Sequence, residues 1–81
     1  MNINQRVYKV VSQIMGVPIE DINDDSSPDT LENWDSLNYM NLVMALEQEF
    51  GIQFNDQAIV EMLNVGLIGM EVQDLLNMSN K

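Results

Sequence analysis

There is no cysteine among the 81 residues, so neither disulfides nor thiolate-bound metal can staple the fold. There is no histidine either. That removes the commonest general base and a frequent metal ligand, and with them ordinary serine–histidine hydrolase and zinc hydrolase sites. Positive charge is scarce: Arg6, Lys9 and Lys81 stand against 13 acids, for a formal net charge of −10. No nucleic-acid or anionic-membrane partner is expected of such a surface, because both need the opposite sign. No apolar run approaches the roughly 20 residues of a membrane span. The opening Met1-Asn2-Ile3-Asn4-Gln5-Arg6 lacks the apolar segment of a signal peptide, so a cytoplasmic location is expected. No strand pattern of any length and no internal repeat is visible.

What is present is 46% hydrophobic, the composition of a globular protein and not of an acidic tail. The length fits one domain over residues 1–81, acting as a monomer, with a thin core and modest stability. The acid surplus confers solubility and suits basic protein partners reached by electrostatic steering.

Helical periodicity dominates. Ile3, Val7, Val10, Val11 and Ile14 form one stripe, with Asn2 or Asn4 as cap and Gly16 as terminator. A long connection over 17–34 follows, opened by Pro18, which prevents simple continuation of the helix. It is rich in acids, yet Val17, Ile19, Ile22, Leu31 and Trp34 can pin it across the helices. The central helix is expected over about 36–50: Leu42, Leu46 and Phe50 repeat every four residues, with Tyr39 and Val43 on the same stripe. Asp35 is its N-cap, Trp34 and Tyr39 fit a hydrophobic staple, and Gly51 stops it. After an extended link through Ile52 and Phe54, Asn55 or Asp56 caps a short third helix carrying Ile59, Val60, Met62 and Leu63. Asn64 caps a fourth, with Val65, Ile68, Val72, Leu75 and Leu76 in a stripe to about Asn77. Gly66 and Gly69 weaken it by up to ~1 kcal/mol each and allow a close helix crossing. A frayed tail is expected from Met78 to Lys81. The fold class is all-α: a small four-helix bundle with a long first loop and a short third helix.

Ser36 is the candidate for chemistry. It sits in the first turn of the central helix, away from the apolar stripe, and a lone Asp-Ser-Leu is otherwise an ordinary helix start. A phosphodiester on its hydroxyl would lie at the positive end of the helix, although Asp35 opposes this by like charge unless it caps. A catalytic nucleophile is not expected, since no histidine is available and Lys9 is the only interior lysine.

The run Asp35-Ser36-Leu37, followed by Leu42-Val43-Met44-Ala45-Leu46-Glu47 and Glu49-Phe50, resembles the acyl carrier protein family, and the resemblance extends over essentially the whole chain. It implies that the protein is not an enzyme but a carrier. Ser36 would be the covalent attachment site of 4′-phosphopantetheine, flanked by Asp35 and Leu37 and loaded by a phosphopantetheinyl transferase from coenzyme A. The thiol of the arm would hold an acyl group as a thioester, which supplies a working thiol to a chain without cysteine. The resemblance further implies that acyl-loading and acyl-processing enzymes with basic docking patches meet Leu37, Met40, Asn41, Met44, Glu47 and Gln48. Met44 is expected to be more exposed than Met40, and Glu49 to be a solvated charge. A long acyl chain would enter between helices near Val43, Leu46, Met62 and Leu63. Asn38 and Asn41 replace carboxylates usual in carriers of primary fatty acid synthesis, and Trp34 replaces a small residue, which implies a specialised member. Fatty acid, specialised lipid or polyketide-type biosynthesis are the settings implied, with an aminoacyl or peptidyl carrier as the alternative.

Two readings of another class compete. Asp21, Asn23, Asp25, Asp29 and Glu32 fall at the first, third, fifth, ninth and twelfth positions of an EF-hand loop, but Ser26 stands where glycine belongs and Pro28 where an apolar residue does. Weak divalent binding at Asp21, Asp25, Asp29 and Glu32 is the softer form of that idea. The other is an acidic adaptor that binds partners through Met40 and Met44 and leaves Ser36 idle.

Overall fold

A computed structural model describes residues 2–79, with the side chain of Ser79 excepted. Its elements are α1 (Ile3–Met15), a 3-10 turn (Ile19–Asp21), α2 (Ser36–Phe50), α3 (Asp56–Glu61) and α4 (Val65–Ser79). Among the described residues there is no strand.

Local chemistry sets the helix ends. Asn2 starts α1 with a capping box: its side chain accepts from the Gln5 N–H at 2.8 Å, and Gln5 Oε1 accepts from the Asn2 N–H. Gly16 and Gly51 end α1 and α2 at φ +70° and +66°, left-handed backbone that glycine adopts without steric cost. Asn55 and Asn64 start α3 and α4, accepting from the N–H of Ala58 and of Leu67, each at 2.8 Å.

Helix α1 packs on both α2 and α4. The core runs through Val7, Val11 and Met15 of α1, Leu42 and Leu46 of α2, and Val65, Ile68 and Val72 of α4, all close to fully buried. Met15 extends the α1 stripe by one residue past Ile14. At the far end, Arg6 lies 4.4 Å from the Phe50 ring centroid, pairs with Glu49 at 3.0 Å and donates to the Glu49 carbonyl. Glu49 is therefore an ion-pair partner and not merely a solvated charge.

The long connection is built, not slack. Ile22, Leu31 and Trp34 are buried in the core as expected, whereas Ile19 is exposed because its 3-10 turn directs it outward. Polar side chains supply the internal bonds. Buried Ser26 accepts from the Asn23 N–H, and Thr30 accepts from the Ser27 N–H. The loop also closes the start of α4: the N–H groups of Val65 and Gly66 donate to the carbonyls of Ser26 and Asp24, both at 2.9 Å. That contact corrects the expected role of Gly66. A Cβ there would come within 3.2 Å of Asp24 Cβ and of its carbonyl, so the missing side chain admits the loop. Gly69 does face α1, where a Cβ would lie 3.0 Å from Asn4 Oδ1.

Two further expectations change. Helix α3 stops at Glu61, and only Ala58 and Met62 of this region are fully buried, with Ile59 half-buried; Val60 and Leu63 are exposed. One turn and a half of helix has room for one buried face. Met78 does not belong to a frayed tail, since α4 continues through Ser79; Asn80 and Lys81 lie outside the described residues.

Candidate functional site

Ser36 is the first residue of α2 and is exposed. The turn beneath it is held from three directions. Asp35 Oδ1 accepts from the Asn38 N–H at 2.8 Å, so its carboxylate is engaged as the N-cap. Trp34 is buried just before the cap and stacks on Tyr39, with ring centroids 6.1 Å apart and planes 21° apart. This is the staple expected for residues on either side of the cap. Asn33 donates from Nδ2 to the Met15 carbonyl at 2.8 Å and accepts at its own carbonyl from Asn38 Nδ2 at 2.9 Å. A bridge of two asparagines thus ties the end of α1 to the first turn of α2.

Asn38 now has a physical reason. Its amide donates to a carbonyl, which an ionised carboxylate cannot do. Its Oδ1 also accepts from Asn41 Nδ2 at 3.4 Å. The sequence reading missed this bridge; the signal was the recurrence of asparagine at 33, 38 and 41, ahead of and along one helical face.

Tyr39 links α2 to α3. Its hydroxyl donates to the Ile59 carbonyl and lies 3.3 Å from the Met62 carbonyl. Burial holds the phenol above its ordinary value of 10.0, so it stays protonated and available as a donor.

Between the loop, α2 and α3 runs an open groove of about 490 Å³, lined among others by Pro28, Trp34, Ser36, Tyr39, Ile59 and Met62. Val60 and Leu63 stand at it too, 73% and 65% exposed. Of the residues expected beside a long acyl chain, Met62 and Leu63 line this groove, while Val43 and Leu46 lie in the buried core.

Along α2, Leu37, Met40 and Met44 are exposed by 73%, 47% and 60%, so Met44 is the freer methionine. Asn41 and Gln48 are also exposed. Glu47 departs from this face: it is half-buried, and its Oε2 accepts from the Phe54 N–H at 2.9 Å, holding the α2–α3 link.

The acidic loop does not gather into a cation site. Asp21, Asp25, Asp29 and Glu32 are all exposed, and Asn23 Oδ1 is occupied by the Asp25 N–H. Among the described residues no group of three or more acidic side chains is placed to hold a metal ion. A 3-10 turn stands where an EF-hand needs its entering helix, and the exiting helix starts only at Ser36. Among the described residues no helix is long and apolar enough to cross a membrane.

The arrangement suits an anionic ester on Ser36. The side chain is exposed at the positive end of a 15-residue helix. The N–H groups of Ser36 and Leu37 have no acceptor among the described residues, while the Asp35 carboxylate already has a donor. The family model that matches this chain is described as a phosphopantetheine attachment site, and it covers residues 5–69, with Ser36 and the groove inside the match.

Proposed function

The chain belongs to the phosphopantetheine attachment-site family, whose members are non-catalytic carriers of 4′-phosphopantetheine, and from that premise we propose that Ser36 is the residue modified and that the cargo is acyl. The observation that carries this reading is one exposed serine at an open helix N-terminus, standing at the mouth of an apolar groove.

A phosphopantetheinyl transferase and biosynthetic enzymes are the partner classes that membership implies. When bound, the arm supplies a terminal thiol that holds cargo as a thioester. The chain's own residues do the rest. Asp35 and the Trp34–Tyr39 stack fix the turn that carries Ser36. The Asn33–Asn38 bridge anchors that turn to α1. The open amides of Ser36 and Leu37 favour a phosphodiester there.

The acyl assignment rests on the groove. Val60 and Leu63, with half-buried Ile59, present apolar surface in the groove that Ser36 also lines, which favours an aliphatic cargo over a polar aminoacyl one. Fatty acid or specialised lipid and polyketide-type synthesis is the corresponding setting, with the 1–81 span acting as one monomeric carrier domain in the cytoplasm.

Intact mass after incubation with coenzyme A, magnesium and a broad-specificity phosphopantetheinyl transferase tests the site. The native chain is expected to gain one phosphopantetheine and Ser36→Ala none; gain by the variant would place the arm elsewhere. Melting of the long-acyl form against the bare phosphopantetheine form tests the cargo. A higher Tm is expected for the acyl form, and equal values would favour the aminoacyl alternative.

A further inference from the structure

The groove beside Ser36 and the hydrophobic core share a wall. Trp34 and Met62 line the groove and also belong to the core, while Tyr39 and Ile59 line the groove and pack against the core. Val43 and Leu46 are buried in the core and take no part in the groove lining. Val60 and Leu63 line the groove and are exposed.

Tyr39 is the member of this wall that fastens two helices together. The last carbonyls of any helix lack a partner within it. Helix α3 ends at Glu61, and the Leu63 N–H, which would have served Ile59 in a longer helix, donates to the Glu61 carbonyl instead. The Tyr39 hydroxyl of α2 donates to the Ile59 carbonyl in its place, with the Met62 carbonyl 3.3 Å away. Trp34 stacks on the same ring. A hydrocarbon chain passing between α2 and α3 has to push this ring aside. It strips the hydroxyl of its acceptor and the Ile59 carbonyl of its donor, and it can replace neither. It also enters a packed interior, where Leu42, Leu46 and Ile68 are fully buried and extra methylenes crowd their neighbours. A chain that stays outside covers Val60 and Leu63 and breaks no bond.

We propose that Tyr39 is a specificity-determining residue: by closing the seam between α2 and α3 it keeps the acyl chain in the outer groove, against Val60 and Leu63, and out of the core around Val43 and Leu46. This rests on Ser36 as the attachment site and on an acyl cargo, and it names the residue that limits how much of that cargo the carrier covers. The groove is open, so a chain lying in it is sheltered along one side. Any length that outruns the groove stays in solvent. The carrier then displays a long chain and does not enclose it, in contrast to the entry between helices that the family resemblance implied.

The test is NMR of the full chain loaded from butanoyl-, octanoyl- and hexadecanoyl-coenzyme A by a broad-specificity phosphopantetheinyl transferase, with isotope-labelled acyl groups and loading checked by intact mass. In the native chain, nuclear Overhauser contacts are expected from the octanoyl and hexadecanoyl groups to the methyls of Val60 and Leu63, and none to those of Val43 and Leu46. Tm is expected to rise from the butanoyl to the octanoyl form and then to level off. Tyr39→Ala leaves an apolar space that a hydrocarbon can fill. In that variant contacts to Val43 and Leu46 are expected to appear, and Tm to go on rising to the hexadecanoyl form. Tyr39→Phe keeps the ring but frees it from α3, so it is expected to show the same inward contacts more weakly, with circular dichroism as the check on folding of both variants. Contacts to Val43 or Leu46 in the native hexadecanoyl form overturn the proposal, and so do folded variants that show no inward contact. Failure of the native chain to gain mass removes the Ser36 assignment instead, and with it the premise.

Discussion

Helices α2 and α4 begin in the same way and then diverge. Each is 15 residues long, and each starts from an Asx side chain that accepts an amide two or three residues into the helix at 2.8 Å. At α4 the remaining amides of the first turn are closed by the loop, through the carbonyls of Ser26 and Asp24. At α2 the amides of Ser36 and Leu37 are left open, and Leu37, Met40 and Met44 are exposed. The difference lies in what the long loop does. It folds over one helix start and packs only beneath the other, through Trp34. An irregular, acidic segment thus closes one helix start, and the other helix start is left available for work.

Four measurements break or sharpen that contrast. The largest effect is expected from Trp34→Ala, which removes the buried ring that supports α2 from below. Truncating such a ring costs about 3–5 kcal/mol, and urea unfolding is expected to show the midpoint falling by a corresponding amount. A loss below about 1 kcal/mol would mean that the loop does not hold the turn.

The glycine pair comes next. Gly66→Ala drives a Cβ into the Asp24 carbonyl and should destabilise by about 1–2 kcal/mol. Gly69→Ala meets only the end of the Asn4 side chain, so it should be neutral or stabilise by up to about 1 kcal/mol through helix propensity. Thermal melts of both variants decide the point, and equal effects would remove the distinction between loop contact and helix contact.

Tyr39→Phe deletes the hydroxyl that joins α2 to α3 and is expected to cost about 1 kcal/mol at neutral pH. Its pH dependence has a definite sign. Burial raises the folded-state value above 10.0, so the stabilisation is complete below pH 10 and is lost as pH climbs through the folded-state value. Tyr8, raised by its hydrogen bond to Asp24 and by desolvation, acts in the same direction. Urea melts between pH 8 and strongly alkaline solution should therefore show a shallower decline in Tyr39→Phe than in the native chain. Parallel curves would assign the alkaline loss to Tyr8 alone.

The smallest effect is expected on the open face. Met44→Ser removes exposed apolar surface with no internal partner and should leave stability within about 0.5 kcal/mol of the native value. Paired with Trp34→Ala, it shows directly which side of α2 is for folding and which is for contact.

Much of this was legible in the chain because it is local. Asn2, Asp35, Asn55 and Asn64 are short side chains at the one place where an orphan amide is near, and Gly16 and Gly51 supply the left-handed residue that ends a helix. The stripes of α1 and α2 follow from helical spacing alone, and so does the placement of Ser36 outside the apolar face. The staple of Trp34 and Tyr39 is equally a matter of five residues.

Other features depend on groups far apart in the chain. Val60 and Leu63 carry the same apolar character as Ala58 and Met62, and only packing against the rest of the core decides which pair turns inward. Glu47 and Gln48 are both polar neighbours on one helix, but the Phe54 N–H takes only the first. Gly66 is read as a helix contact until Asp24, 42 residues earlier, is seen against it. The sequence by itself determined where the helices start, where α1 and α2 stop and which residue stands first in α2, because capping and periodicity act within a turn or two. Tertiary structure alone decided which apolar side chains remain outside and which carboxylates are already engaged, because burial and hydrogen-bond partners are assigned only when distant segments meet.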